Sequence, residues 1–331
     1  MRDKILIVTD SNELNVPEVQ KHLVSSQVLR LNTDQLVGHG LTLQVEKGEI
    51  DFLLTCGMQT ISANNIKAVW YRRPSNVTII TEKLTENHRK YAENENQRFL
   101  MALWNSADTN EIVWVNHPSA LRKLEHSKPL QLHTADQVGL ATPATLITNC
   151  LDAVKEFFDC WNGAIVAKTF GSHTRNDSGW PISVFTTPIT RDGLEKFGHE
   201  LRYAPVIFQN YIPKKLELRI TVVGHRIFSC AIHSQDSKRT MYDWRRYDFG
   251  HVKHEPCELP PEIVKKLLQA MRIWDLQFGA IDMILTPKGD YVFLEVNPSG
   301  QWGWIEAITG MPISKAIADL LVDPTAYSNR P

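Results

Sequence analysis

Paired cysteines, a glycine fingerprint for dinucleotides and long apolar runs are all missing from this chain of 331 residues. No Gly-x-Gly-x-x-Gly follows the first apolar run, Lys4-Ile-Leu-Ile-Val-Thr-Asp10, so the usual dinucleotide-binding reading is excluded. The five cysteines (Cys56, Cys150, Cys160, Cys230, Cys257) are scattered, odd in number and never spaced Cys-x-x-Cys. That pattern supports neither a disulfide framework nor a zinc ribbon. His251, His254 and Cys257 recur at three-residue spacing, but no fourth ligand lies nearby in the chain. No apolar run approaches membrane-spanning length, and the N-terminal run is too short for a signal-peptide core. A reducing, cytoplasmic setting follows as the expectation. A net charge of −1 gives no general reason to expect nucleic acid or an anionic membrane as partner.

What is present is the composition of a soluble globular protein, long enough for two or three domains. The first ~115 residues read as α/β. Strands are expected at Ile5–Val8, Val28–Leu31 and Ala68–Tyr71, a helical stretch from about Pro17, and a hairpin from Leu41–Val45 and Phe52–Thr55. Glu86–Asn105 reads as a long amphipathic helix with Tyr91, Phe99 and Leu103 on or near one face and its acidic and amide residues solvated. A second region opens with Val115-Asn-His-Pro118, continues as one helix over Ser119–Val138, and holds strands at Val166–Phe170 and Ile182–Phe185. The last region starts near Val206. The expected division is 1–117, 118–206 and 207–331.

Gly279 to Asn297 says most about chemistry. Two apolar runs flank Pro287-Lys-Gly-Asp290, a turn signal, so the segment reads as a β-hairpin. With the turn centred between Lys288 and Gly289, Asp282 faces Glu295 across the ladder, at roughly 4.5–5.5 Å between Cβ atoms. Asn297 shares the face of Glu295. Two opposed carboxylates inside apolar strands repel and are costly to bury. A divalent cation removes the conflict, and an all-oxygen set suits Mg²⁺ held together with substrate phosphates.

Other residues say less one by one. Lys168 lies on an apolar strand before the polar loop Gly171–Gly179 and must find an anion or reach solvent. Lys128, taken alone, is a solvated lysine. Phe208-Gln-Asn-Tyr-Ile212 before Pro213 reads as a strand end whose side chains and free backbone groups can hold a purine, which brings in Gln209, Tyr211 and Ile212. Glu217 and Arg219 share one face of an alternating strand. Glu217 suits ribose hydroxyls or a lysine ammonium, and Arg219 a transferring phosphoryl group, although a solvated strand face has the same pattern. Arg245 or Arg246 can grip a phosphate or carboxylate. Arg72 and Arg73 end a strand of the N-terminal α/β region, where such sheets place ligand-contacting loops.

These pieces stand in one order: a lysine, a second lysine before a loop, a strand-end hinge, Glu-x-Arg, then Asp and Glu-x-Asn. The order resembles the ATP-grasp superfamily, and the hinge looks like that of prokaryotic glutathione synthetases. Val69-Trp-Tyr-Arg-Arg-Pro74, Trp114-Val-Asn-His-Pro118, Lys128-Pro-x-Gln-Leu132, Asp243-Trp-Arg-x-Tyr247 and Glu295-Val-Asn-Pro-x-Gly-Gln-Trp-Gly-Trp-Ile-Glu306 look like the ATP-grasp ribosomal peptide maturases that make microviridin-type graspetides. The resemblance spans Lys4 to Leu321 and implies an ATP-grasp fold behind an N-terminal α/β pre-ATP-grasp domain. It implies Lys128 and Lys168 on ATP phosphates, Tyr211 and Ile212 reading adenine through their backbone, Mg²⁺ on Asp282, Glu295 and Asn297, and Arg219 as the catalytic arginine. It further implies a ribosomal precursor peptide as partner and a homodimer. The family's Asp-x-Arg is Glu217-x-Arg219 here, and the loop after Lys168 lacks a dense glycine run. The implied reaction activates an Asp or Glu side chain as an acylphosphate and closes an ester or amide cross-link. An intermolecular carboxylate–amine ligase and a non-catalytic nucleotide-regulated peptide binder remain the alternatives. Replacing Glu295→Gln is expected to abolish peptide-dependent ATP hydrolysis while the fold persists; unchanged turnover at saturating Mg²⁺ would remove the hairpin from the metal site.

Overall fold

The computed structural model describes residues 2–57, 59–107, 112–125, 127–171, 173–175 and 181–329. The chain opens with β1 (Lys4–Thr9), the short helix α1 (Val16–Gln20) and β2 (Val28–Asn32). A separate antiparallel sheet follows, made of β3 (Gly40–Glu46), β4 (Glu49–Cys56) and β5 (Gln59–Ser62). Then come β6 (Ile66–Arg72), the long helix α2 (Glu86–Ser106) and β7 (Val113–Val115). The parallel sheet has the order β2-β1-β6-β7, and the middle of β1 is fully buried, as an apolar run in a sheet covered on both faces should be.

Helix α2 departs from the expected pattern. Tyr91 is 67% exposed, and burial falls on Leu100, Leu103 and Trp104. The N-terminal half turns polar groups inward instead: Glu93 accepts from the Ile79 amide at 2.9 Å and Gln97 from the Val77 amide at 3.2 Å. Those two side chains satisfy backbone donors of an irregular segment that no strand could pair. The helix expected over 119–138 is also broken, into α3 (Pro118–Glu125) and α4 (Lys128–Gln137). Pro129 lacks an amide donor, which the first turn of a helix does not need and a helix interior does, so a new helix starts around it.

The next sheet is small. β8 (Thr145–Thr148), helix α5 (Leu151–Cys160), β9 (Ile165–Lys168), the ribbon β10 (His173–Arg175) with β11 (Pro181–Ser183), β12 (Thr187–Pro188), helix α6 (Arg191–Phe197) and β13 (Val206–Asn210) build it. Its order is β12-β9-β13-β8. Because β13 pairs with both β8 and β9, the sheet ends after Asn210, beyond the expected division at 206/207.

The last sheet is antiparallel throughout, in the order β16-β15-β14-β17-β18. Its strands are β14 (Leu216–Val223), β15 (Arg226–Ile232), β16 (His254–Pro256), β17 (Phe278–Leu285) and β18 (Tyr291–Asn297). Helix α7 (Pro261–Ile273) covers one face; α8 (Gly303–Thr309) and α9 (Ile313–Val322) cover the other.

The cores show which parts pack together. Ile5, Ile7, Ala68 and Trp70 of the N-terminal sheet share a cluster with Phe278, Trp302, Ile313, Ile317 and Leu321. Ala120, Leu124 and Leu132 of α3 and α4 pack with Leu218, Ile281 and Phe293 of the last sheet. The small sheet has its own core of Val154, Phe158, Ile165, Leu194 and Phe208. Helices α3 and α4 therefore belong by packing with the last sheet, and the small sheet stands apart.

Buried Asn116 fixes the junction. Its Nδ2 donates to Phe278 O at 2.8 Å and Pro298 O at 2.9 Å, and its Oδ1 accepts from the amides of Gln277 at 2.7 Å and Phe278 at 2.9 Å. All four bonds open to a carboxamide are made. Asn116→Ala leaves these buried partners unpaired, so urea unfolding should show a loss of about 3 kcal/mol or more. A loss below about 1 kcal/mol would mean that water replaces the side chain.

Candidate active site

The hairpin β17–β18 brings Asp282 opposite Glu295. It gets there by a route the sequence pattern hides. The turn is centred one half-residue earlier than expected: Leu285 faces Tyr291, Ile284 faces Val292 and Met283 faces Phe293. Gly289, at φ +94°, takes the left-handed position that closes this turn, and its amide donates to Thr286 O at 3.0 Å. A β-bulge at Leu294 then inserts one residue before Glu295. Side chains alternate along a strand, so without the bulge Glu295 would point to the other face.

Opposed carboxylates need cations, and four basic side chains answer. Lys128 Nζ lies 2.5 Å from Glu295 Oε2, and Arg245 lies 3.8 Å from Glu295 Oε1. Arg219 Nη1 donates to Asp282 Oδ1 at 3.0 Å. Burial works to raise the Glu295 carboxyl, but Lys128, Arg245 and Lys168 together hold it down at about 2. Asp282 goes the other way: burial raises it, Arg219 opposes the rise and the charge on Glu295 adds to it. The repulsion is thus divided unequally across the ladder. Asn297, two residues on, is exposed, and its Oδ1 accepts from the Ser299 amide at 3.0 Å. Among the described residues no cluster of three or more His, Cys, Asp or Glu suits a metal; here the third oxygen is a carboxamide.

Two cavities meet at half-buried Lys168, which lines both. One is a slot between the lobes, with Val166, Ile212, Ile284 and Leu294 as apolar walls and Gln209, Tyr211 and Glu217 on its lining. The other, of about 430 Å³, is lined by Lys128, Lys168, Arg245, Glu295 and Asn297. An apolar slot opening into a cationic chamber has the polarity of a nucleotide. Burial lowers the Lys168 ammonium to about 8, against the pull of Glu295 and with Lys128, Arg245 and Lys214 pushing the same way. Part of the loop that follows, Ser172 and 176–180, lies outside the described residues.

Several expected residues turn out to be committed elsewhere. The Tyr211 amide donates to Ala164 O at 2.8 Å, so at this position only the carbonyl is left for the slot. Gln209 Nε2 donates to Thr145 Oγ1 at 3.0 Å. Glu217 accepts from Lys214 Nζ at 2.9 Å, and burial raises its carboxyl in spite of that lysine. Arg72 does not face the cleft. It is buried, donates to Ser299 O at 2.8 Å and Gly300 O at 3.1 Å, and lies 4.5 Å over the Trp302 ring. Arg73 instead lines a third cavity beside Asn297.

Two residues were missed. Lys214, after Pro213, is buried at its tip and pairs with Glu217. Asp243 is the other, and it stands in the motif Asp243-Trp-Arg-x-Tyr247 without a role assigned from sequence. It is buried, takes both Nε and Nη2 of Arg245 at 2.8 and 2.7 Å, and accepts from the Thr186 amide of the small lobe at 2.9 Å. Burial opposes its charge, yet the Arg245 hydrogen bonds hold its carboxyl well below the usual range. Gly300 sits so close that a Cβ there would meet Ala280 Cβ at 2.3 Å and Arg219 Nη2 at 2.9 Å.

The chain is similar to known proteins along most of its length. Residues 4–122 match the MvdD pre-ATP grasp domain, and residues 137–321 match the RimK-like ATP-grasp domain. Fold and site thus define an ATP-grasp ligase. A RiPP-associated ATP-grasp ligase of Chryseobacterium gregarium, solved with ADP and a leader and core peptide, is 33% identical over 98% of this chain and 97% of its own, with a TM-score of 0.86. The macrocyclase MdnC of Microcystis aeruginosa MRC, solved with its precursor peptide MdnA, is also 33% identical, over 97% of this chain and 100% of its own, with a TM-score of 0.80. MdnB of the same organism is 33% identical over 97% and 99%, with a TM-score of 0.74. No curated protein sequence matches the chain. The chain belongs to the ATP-grasp ligases of ribosomally made, post-translationally modified peptides.

Lys168 yields a pH test. With its pKa near 8, the ammonium is partly discharged above that pH, and a bound phosphate restores the proton. Binding of Mg-free ADP at pH 8.5 should take up protons, and affinity should fall as pH rises through about 8. The phosphate's own second ionisation, near pH 6, lies below this window. Calorimetry in buffers of different ionisation enthalpy measures the uptake; a pH-independent affinity from 7 to 9 would show that Lys168 meets no phosphate.

Proposed function

We propose that this ligase cross-links a ribosomally made precursor peptide, with ATP and Mg²⁺, through ω-ester or ω-amide bonds. The observation that carries the reading is the cationic chamber over the Asp282–Glu295 pair, joined to an apolar slot by Lys168. The 33% identical relatives solved with ADP and with precursor peptides support it.

In this reading adenine enters the slot, where the Tyr211 carbonyl and the Ile212 amide meet its edge. Lys128 and Lys168 take phosphate oxygens. The donor set fits magnesium: two carboxylates and a carboxamide, all oxygen, in a ladder that already draws Lys128 and Arg219 to it. Asp282, Glu295 and Asn297 would hold the ion, which when bound supplies positive charge beside the phosphates. A side-chain carboxylate of the peptide attacks the γ-phosphorus, and the bond to ADP breaks. A hydroxyl or amine of the same peptide then attacks the acyl carbon, loses its proton, and phosphate leaves. Arg219 neutralises charge in both steps, while Arg245, braced by Asp243, keeps Glu295 ionised. Lobe contact through Asp243 and Thr186 keeps water from the acylphosphate.

A homodimer in a reducing cytoplasm completes the proposal. Val45 and Ile50, paired across β3 and β4, are exposed at one end of that sheet, where a second copy would cover them. No helix among the described residues is long and apolar enough to cross a membrane.

Arg219→Lys tests the chemical step. Lysine cannot reach Asp282 and the Gln301 carbonyl together as the guanidinium does, nor present a planar fork to a phosphoryl group. ADP affinity should stay within a few-fold while cross-linking, read as loss of water by intact mass, drops at least 100-fold. The peptide for this assay would be sought in neighbouring short reading frames, by a C-terminus rich in Thr or Ser and in Asp or Glu. Full dehydration by the variant would take Arg219 out of the mechanism; joint loss of ADP binding would make it a nucleotide ligand only.

A further inference from the structure

A third cavity, of about 500 Å³, lies between the N-terminal unit and helix α3. It meets the phosphate chamber at Glu125 and Asn297, which line both. Arg73 and Arg122 both line it and bring two guanidinium groups to its wall. Arg73 is anchored through Nε, which donates to Ser299 O at 2.7 Å. Its backbone holds φ +45°, a left-handed conformation that an arginine rarely adopts and that is found where the surroundings impose it. Among the described residues, no hydrogen bond or ion pair takes up its Nη groups or any part of Arg122 within contact distance. Glu125 is the one acidic residue of the lining, so the wall carries a net positive charge. Apolar Pro74, Met101 and Leu121 complete it.

Two guanidinium groups, that of Arg73 held only through its Nε, stand over an apolar wall beside the Asn297 carboxamide and fit one ligand class. We propose that this cavity receives the acidic side chain of the peptide that awaits activation, its carboxylate on Arg73 and Arg122 and its methylenes on the apolar wall. The inference rests on the ligase reading above and adds the place from which the carboxylate enters. Charge-assisted, planar bonds favour a carboxylate over an amide of equal size there. Asn297 then marks the passage from the waiting position to the γ-phosphate.

Glutarate is a suitable probe because it carries the acidic side chain without a peptide. Saturation-transfer NMR on the ADP-loaded full chain should detect glutarate but not neutral glutaramide. Two variants separate the outcomes: Arg122→Ala on an exposed helix face, and Arg73→Gly, which keeps the left-handed backbone. Each should weaken glutarate binding at least ten-fold and leave ADP affinity within two-fold. With the precursor peptide, the Michaelis constant for peptide should rise at least ten-fold at unchanged constant for ATP. Equal glutarate binding by wild type and both variants, or none by wild type at 50-fold excess over ADP, would overturn the proposal. Preference for butylammonium, lost in Glu125→Gln, would also overturn it and make the cavity a seat for a cationic nucleophile. Failure of the ligase reading looks different: glutarate binds, yet no peptide is dehydrated.

Discussion

The four hydrogen bonds of Asn116 are the constraint on which the site depends. They grip both ends of the β17–β18 hairpin, the start of β17 at Gln277 and Phe278 and the end of β18 at Pro298. Arg72 continues the grip onto Ser299 and Gly300. Gln131 adds a third hold, because its Oε1 accepts from the Val296 amide at 3.0 Å. A buried side chain that saturates its bonding capacity permits one arrangement of its partners and penalises the others. The N-terminal unit therefore acts as a jig: it contributes few groups to the chamber but sets where Glu295 and Asn297 stand.

Within that frame the electrostatics balance locally. Removing two carboxylates from water is expensive, and only close, hydrogen-bonded cations offset the cost. Lys128, Arg219, Arg245 and Lys168 do so from four different elements, which makes the chamber sensitive to lobe position. Asp243 links that position to the charge. It holds Arg245 on one side and the small lobe's Thr186 on the other, so a displacement of the lobe is felt at Glu295.

The opposed carboxylates were legible because period-two alternation and a Pro-Lys-Gly-Asp turn leave few registers. The register emerged for a partly wrong reason: the expected turn was half a residue late, and the bulge at Leu294 compensated. Bulges carry no reliable sequence mark, so this was not readable in advance. The string Gly300-Gln-Trp-Gly-Trp-Ile-Glu306, which narrowed the family, is largely scaffold. Trp302 is buried against Trp70 and Phe278, and Glu306 accepts from the Ser314 amide at the start of α9. The inward Glu93 and Gln97 of α2 were misread as solvated, because polarity alone does not reveal an unpaired backbone segment nearby. Lys214 and Asp243 escaped for a related reason: beside a near neighbour, each has a partner far along the chain, the Tyr242 carbonyl for Lys214 and the Thr186 amide of the small lobe for Asp243.

The division of cores sets what can be recombined. An exchange of residues 1–117 between relatives would join two halves of a cluster that includes Trp70 and Trp302, each shaped to its native counterpart. An exchange of the small lobe, roughly from Pro143 to Asn210, would carry its own interior of Val154, Phe158, Ile165, Leu194 and Phe208 along with it. The lobe bearing Lys168 therefore brings its interior with it, whereas the N-terminal unit and the last sheet share one interior and have to be matched to each other.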